Sequence, residues 1–539
     1  MLPQSLIKKH SVSILVTAIF MFVTAILFWL MVQKCDGKFI YPLDDTYIHM
    51  AIAKNMSQNG VWGITRHEFS SSTSSPLWTF LLTTAFYITG VNENIPLMLN
   101  IIFGIGFIFV SGNFLNQILL NNKVKFYILT GSMLIIPLST LVLMGMEHTM
   151  HTFFSVAFVA AMLKVFEKKQ TRINSILLIA LSALLPLTRY EGLFLIFVAC
   201  MMLIVKKQLS FAIKLGFAAW TPLILYGLWC VQNGWFMLPN SVILKGRLPG
   251  FLYERIVTLS SVLSISTILR NKSLIILALG LIITSLIPRL KNGQMLPNSQ
   301  NTIQLIIGAT SFHAAFISVG HFFRYESYLF GLGTLIIGVA HSEWSFLSSL
   351  PDKKRHRQKQ SQILLVSLLI SSIFLMGIRS MRALLLTPQA SQNIYHQQYQ
   401  TARFLSKYYN NATIALNDIG FPAFLTDIKM LDLAGLGSRK PALLKLENKY
   451  DIDHLKQWAL QEQAQIAIIY DNWFTGIGIP NSWSLAGKWK ISKNVVCGSD
   501  VVSVYAIDLA MKDKLVKQLQ DFSMSLPDSV QTEITSQQQ

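Results

Sequence analysis

Residues 11–33 read SVSILVTAIFMFVTAILFWLMVQ, a run without a single ionisable side chain. A helix rises ~1.5 Å per residue, so this stretch alone is long enough to cross a ~30 Å hydrocarbon layer. Lys8, Lys9 and His10 precede it and no small-residue cleavage site follows, so it reads as a retained transmembrane helix and not as a removed signal peptide. Comparable runs recur at 211–232 and 360–378. Over all 539 residues, 52% are hydrophobic and 13% charged, about half the charge that coats a soluble protein; mean hydropathy is +0.47. A cytosolic enzyme, a secreted disulfide scaffold and a disordered chain are excluded. The chain reads as a polytopic membrane protein, mainly α.

The net charge of +19 resembles a nucleic-acid footprint until its distribution is considered. Residues 379–539 hold 16 Lys and Arg against 14 Asp and Glu, leaving 29 against 12 in the rest. The excess clusters in short loops: Lys8/Lys9, Lys123/Lys125, Lys164 to Arg172, Lys206/Lys207/Lys214, Arg289/Lys291 and the basic run 353–359. Positive loops stay cytoplasmic, so the six clusters share one side. No basic face with interleaved aromatics lies elsewhere, and no nucleic-acid partner is expected.

Successive basic clusters must be separated by an even number of crossings. Three apolar runs, 11–33, 75–90 and 95–120, lie between the first two clusters. The middle one is shortest, starts at Pro76 and carries Thr79, Thr83 and Thr84, so it reads as an interfacial or re-entrant helix. Parity then closes with about eleven spans, the others being 126–146, 150–166, 175–188, 193–205, 211–232, 274–287, 302–320, 325–347 and 363–378. The amino terminus lies inside. Residues 1–378 form the membrane domain and 379–539 an outer α/β domain. In the latter, 393–409 and 453–463 read as helices, 413–416, 467–470 and 501–507 as strands, and the polar tail 525–539 as disordered. Cys200 and Cys230 fall inside spans; Cys35 and Cys497 face the oxidising side, where they could pair.

Nearly all informative polar residues fall on the outer side. The first outer loop contains Leu43-Asp44-Asp45-Thr46-Tyr47, then a helical stretch, Gly60-Val61-Trp62-Gly63 and a Ser/Thr run ending in Ser74-Ser75-Pro76-Leu77-Trp78. Adjacent carboxylates repel, which leaves one suited to accept a proton; an Asp before a helix is also an N-cap. Asp45 is the better capping candidate, which leaves Asp44 freer for chemistry. Glu147-His148, Arg189-Tyr190-Glu191, Asn240-Ser241, Lys245 and Arg324-Tyr325-Glu326 sit at other helix mouths. Each is either an interfacial anchor or part of a shared polar cavity in which guanidinium and ammonium groups meet a phosphate. His148 and His151, one turn apart beside Glu147, read as a structural pair, since no second cluster completes a metal site. Without a P-loop, a dinucleotide fingerprint or a Ser elbow, any transfer must draw on an activated substrate.

Taken together, Asp44-Asp45-Thr46-Tyr47, the Gly-x-Trp-like turn and Ser74-Ser75-Pro76-Leu77-Trp78 resemble the opening of the GT-C superfamily of polyprenyl-phosphate-dependent glycosyltransferases. Gly145-Met146-Glu147, Thr188-Arg189-Tyr190-Glu191-Gly192-Leu193, Leu238-Pro239-Asn240-Ser241 with Lys245, and Arg324-Tyr325-Glu326 resemble its bacterial arabinofuranosyltransferase-like branch, as do Asn417-Asp418-Ile419-Gly420 and Leu431-Asp432-Leu433-Ala434-Gly435-Leu436. The resemblance implies an inner-membrane enzyme that moves a sugar, with inversion, from a polyprenyl-phosphate donor to a hydroxyl of a cell-envelope glycan or glycolipid on the outer face. It implies Asp44 as the base supported by Asp45, and Arg189, Lys245 and Arg324 on the leaving phosphate. Glu147 and Glu191 would position sugar hydroxyls or the basic groups, and His148, Asn240, Tyr325 and Glu326 complete the donor site. Some relatives use a divalent cation. The rival readings are a transporter or lipid-linked-sugar flippase, which would place charges at the midplane and show repeated halves, and a non-catalytic assembly or receptor protein.

Overall fold

The computed structural model describes residues 4–245, 271–290, 297–317, 322, 324–344 and 355–535. Among the described residues, five helices are long and apolar enough to cross a membrane: Lys9–Lys34, Ile95–Ile118, His148–Phe166, Leu209–Gln232 and Ser367–Tyr408. Four shorter apolar helices accompany them: Arg172–Thr188, Gly192–Val205, Lys272–Leu286 and Ser327–Ala340. The chain is a multi-pass membrane protein. Its first helices are α1 (Gln4–Lys34), α2 (Asp45–Asn59), α3 (Pro76–Thr89), α4 (Ile95–Ile118), α5 (Asn122–Ile135), α6 (Leu138–Leu143), α7 (His148–Phe166), α8 (Arg172–Thr188), α9 (Gly192–Val205), α10 (Leu209–Gln232) and α11 (Asn240–Lys245).

The apolar runs divide between two faces. On α1, Val16 and Phe20 are fully buried in the bundle core with Phe107, Leu141 and Val142, whereas Phe22 and Trp29 are exposed, as expected of a helix with lipid on one side. The run at 126–146, expected as one span, is two helices, α5 and α6. They part before Pro137, which has no N–H to carry the helix through.

The last apolar run does not stop at the expected boundary of 378/379. It lies in a 40-residue helix, Arg355–Ile394, which continues through a π-helical turn, Tyr395–Tyr399, into Gln400–Tyr408. The outer domain therefore hangs on a helix shared with the membrane bundle.

That domain holds one six-stranded sheet of β1 (Thr413–Leu416), β2 (Lys429–Asp432), β3 (Ile466–Ile469), β4 (Ser484–Lys490), β5 (Val501–Ala506) and β6 (Gln531–Ile534), in the order β2-β1-β3-β5-β4-β6. β1 pairs in parallel with β2 and β3, and the remaining pairs are antiparallel. Side chains alternate across the sheet. Ala415, Ala467 and Ile469 pack on one face with Trp458 and Phe474. Ile414, Leu416, Ile466 and Ile468 pack on the other, in a core that runs without a break to Tyr47, Trp62 and Trp78 of the first outer loop and its helices.

One expectation is corrected and one open alternative is decided. The tail is not disordered as far as it is described: 531–534 form the edge strand β6 against β4, and Val530 is buried. An edge strand needs few apolar anchors, and its exposed polar residues concealed it. Cys35 and Cys497 are not paired; both are free thiols, Cys35 within 3.4 Å of Ser391 Oγ and Cys497 within 3.5 Å of Gln398 Oε1.

Candidate active site

Three turns of the membrane bundle and the start of α2 converge beneath the outer domain. The first is the turn between α6 and α7. Gly145 has φ +70, and a Cβ there would lie 2.5 Å from the Tyr41 ring and 2.7 Å from the Thr46 methyl; only glycine fits this tight reversal. Thr46 Oγ1 donates to the Met144 carbonyl at 2.6 Å, which fixes the turn against α2 and directs Met146 and Glu147 inward.

Glu147 is completely buried and pairs with Arg189; its other oxygen lies 3.6 Å from His49 Nε2. Arg189 also grips Glu191, Nη2 to Oε1 at 2.6 Å and Nε to Oε2 at 3.2 Å. One guanidinium thus joins two buried glutamates from different turns. On its far side His49 Nδ1 meets Thr79 Oγ1 at 3.0 Å and Thr73 Oγ1 at 3.1 Å. Burial holds the His49 imidazole below its ordinary pKa against the pull of Glu147 and Asp45. In the Ser/Thr run ahead of Pro76, Thr73 thus supplies internal hydrogen bonds, while Ser72 and Ser74 line the neighbouring cavity.

Arg324 is the second cation. Its Nη2 lies 2.7 Å from Asp45 Oδ2 and its Nη1 faces Met146 Sδ, while Nε has no hydrogen-bond partner among the described residues. Tyr325 lies between the two guanidiniums, its ring 4.6 Å from Arg189 Cζ and 5.1 Å from Arg324 Cζ, and stacks on His148 at 5.7 Å. The ring face keeps two like charges apart and favours both. His151 packs on Tyr328 at 4.6 Å. Among the described residues, no three His, Cys, Asp or Glu side chains are grouped as metal ligands.

A cavity of about 100 Å³ lies in the midst of these groups, lined by Asp45, His49, Arg189, Glu191, Tyr325 and Leu436 among others. The Asp45 side chain is 28% exposed, while those of Arg189, Glu191 and Arg324 are 7% or less. Leu436 comes from the outer domain, on a loop shaped by Asp432. That carboxylate accepts the N–H groups of Ala434 at 2.8 Å and of Gly437. Asn240 ties the same loop to the bundle, with Nδ2 donating to the Gly435 carbonyl at 2.8 Å and its backbone N–H to the Ser71 carbonyl.

The adjacent aspartates part company, opposite to the expected division. Asp45 pairs with Arg324 and lines the cavity. Asp44 is buried and aimed at the outer domain, accepting the N–H of Gly420 at 2.6 Å and of Phe421 at 2.8 Å. Gly420 is required there, because a Cβ would run into the Asp44 carbonyl. Tyr47 stacks on Phe421 at 3.8 Å. Beside them Asp418 Oδ2 accepts from Gln398 Nε2 at 2.6 Å and lies 2.9 Å from Tyr470 Oη. Desolvation and the neighbouring Asp418 carboxylate hold the Asp44 carboxyl well above its ordinary range.

Glu326 is not among the residues that line this cavity. It is buried and paired with Arg379 of the long helix, whose guanidinium lies 4.4 Å from the Phe330 ring. Lys245 ends α11 and its side chain lies outside the described residues, as does His321. His49 and Arg379 were not singled out from sequence. A lone arginine closing an apolar run signals Arg379, whereas His49 has no local signal.

The fold is of GT-C type, a helical membrane bundle with a carboxyl-terminal extramembrane α/β domain. Among solved structures, ArnT from Cupriavidus metallidurans bound to undecaprenyl phosphate is similar over 92% of this chain and 98% of its own, with a TM-score of 0.52 at 12% identity. Its apo state gives 92%, 99%, 0.51 and 13%. An apo oligosaccharyltransferase of Archaeoglobus fulgidus covers 89% of this chain and 74% of its own, with a TM-score of 0.45 at 9% identity. A family model described as a domain of unknown function (DUF8728) matches residues 392–505. No curated protein matches the chain.

Proposed function

We propose that the chain is a membrane glycosyltransferase that moves a sugar from a polyprenyl-phosphate donor to a hydroxyl of an envelope glycan or glycolipid at the outer face of a bacterial inner membrane. The observation that carries this reading is the Asp45–Arg324 pair, an acid open to a cavity and bonded to a guanidinium whose Nε–H has no partner among the described residues. Undecaprenyl phosphate in the ArnT structure supplies the ligand class.

Arg189 is committed to two glutamates and serves as scaffold. Arg324 has one carboxylate to exchange. Arrival of the donor parts the pair: the lipid phosphate takes Arg324 in bidentate fashion, the sugar ring moves between, and Asp45, parted from this guanidinium, becomes more basic. Asp45 then removes the proton of the acceptor hydroxyl. That oxygen attacks the anomeric carbon in a single displacement as the bond to phosphate breaks, which inverts the centre. The charge that develops on the phosphate meets a guanidinium already in place. Lys245, which follows Asn240 on α11, would add a further cation. The base is thus Asp45, and Asp44 anchors the outer domain.

The test is incubation of the purified protein, in sealed proteoliposomes, with a panel of polyprenyl-phosphate sugars and an envelope glycan extract. The likeness to the arabinofuranosyltransferase-like branch puts the arabinofuranosyl donor first. Release of polyprenyl phosphate coupled to glycan labelling supports the reading; movement of intact donor across the bilayer without release favours a flippase.

A further inference from the structure

The outer domain carries a second cavity, about 360 Å³, walled by Trp473, Tyr450, Lys445 and Asn448. Trp473 leaves 47% of its surface open to solvent, yet it is held rigidly. The Asp471 carboxylate before it accepts from Ser503 Oγ at 2.8 Å and Tyr505 Oη at 3.1 Å on β5. Phe474 after it is buried in the domain core, and the indole packs so closely on Gly498 that a Cβ there would lie 2.7 Å from Cζ2. An indole fixed this way contributes little to the core and presents an apolar platform.

Polar groups rim the cavity. Lys445 Nζ donates to the carbonyls of Ala434 at 2.7 Å and Leu433 at 3.3 Å and lies 4.9 Å from the Tyr450 ring, which leaves one ammonium N–H. Asn448 adds an amide donor and acceptor. A flat apolar plane edged by a few fixed donors and acceptors complements a sugar ring, which has an apolar C–H face and a rim of hydroxyls.

Position supplies the partner. Leu433 and Ala434 wall this cavity, while Leu436 of the same loop walls the one at Asp45. We infer that the Trp473 cavity holds a sugar unit of the acceptor glycan, stacked on the indole, with the glycan passing over residues 433–436 toward Asp45. The inference rests on the transferase reading for the word acceptor, but glycan binding itself is measured without donor lipid.

Saturation-transfer NMR on the full chain in nanodiscs would use lactose, maltose, cellobiose and N,N′-diacetylchitobiose as probes. At least one should bind through ring C–H protons, and Trp473→Ala should weaken it about tenfold or more. Gly476 is exposed with nothing within 4 Å of an added Cβ, so Gly476→Phe narrows the cavity without disturbing the core and should give the same loss. No bound disaccharide, or binding indifferent to both variants, overturns the subsite even if sugar transfer is demonstrated. Binding lost in both variants upholds it even if transfer is not.

Discussion

Asp44 and Asp45 are neighbours in sequence and point to different domains: Asp45 Oδ2 lies 2.7 Å from Arg324 in the cavity, and Asp44 Oδ2 lies 2.6 Å from the Gly420 N–H of the outer domain. One residue of register thus joins the chemistry to the domain that covers it. Motion of the outer domain at 420–421 is felt one residue from the proposed base.

Arg189 and Arg324 should separate in their phenotypes. Arg189→Ala leaves Glu147 and Glu191 buried without their cation, a loss of about 3–5 kcal/mol for a broken buried pair. The expected outcome is reduced thermal stability and expression. Arg324→Ala leaves Asp45, which is part-exposed, and should mainly weaken undecaprenyl-phosphate binding, measured by native mass spectrometry. Equal effects of the two on lipid binding would contradict the division.

The junction should respond to pH. The folded Asp44 carboxyl is held well above its unfolded value by burial and by Asp418, so the folded state keeps a proton that the unfolded chain releases. Stability from this group is fully present below about pH 4, the unfolded carboxylate value, and is lost as pH rises through the folded one. Thermal unfolding should therefore shift to lower temperature as pH rises above about 4, the unfolded carboxylate value, and Asp418→Asn, which removes the neighbouring charge, should shrink that shift.

Gly145→Ala should damage the site from a distance. It places a Cβ against Tyr41 and Thr46 at φ +70, a strain of about 1–3 kcal/mol before any clash. Lower thermal stability and weaker lipid-phosphate binding are expected together; an unaffected variant would show that the turn yields freely.

The sidedness proposed from the basic loops is open to direct test. A cysteine at Thr475, exposed on the outer domain, should react with an impermeant maleimide in intact cells, and one at Lys168, exposed between α7 and α8, should not. The reverse pattern would invert the topology.

Much of the fold was legible because its signals are local. Apolar run length marks the helices, and the buried strands β1, β3 and β5 are short Ile, Val and Ala runs. The carboxylates and guanidiniums at helix mouths were legible for the same reason, since few ionisable groups occur near the bilayer. The different orientations of Asp44 and Asp45 were not. Which one faces the cavity depends on Gly420 and Phe421, some 376 residues away, a contact that local capping logic does not include. Glu326 was likewise placed at the donor, because its partner Arg379 comes from a helix whose continuity across the domain boundary has no local mark.

The central claim is tested most directly by comparing turnover of Asp45→Asn and Asp44→Asn on the same lipid-linked sugar. Loss of the base should slow transfer by about 10²–10⁴-fold in Asp45→Asn with undecaprenyl-phosphate binding intact, while Asp44→Asn, once folded, keeps most of its rate. Near-normal transfer by Asp45→Asn, with the loss confined to Asp44→Asn, would contradict the account.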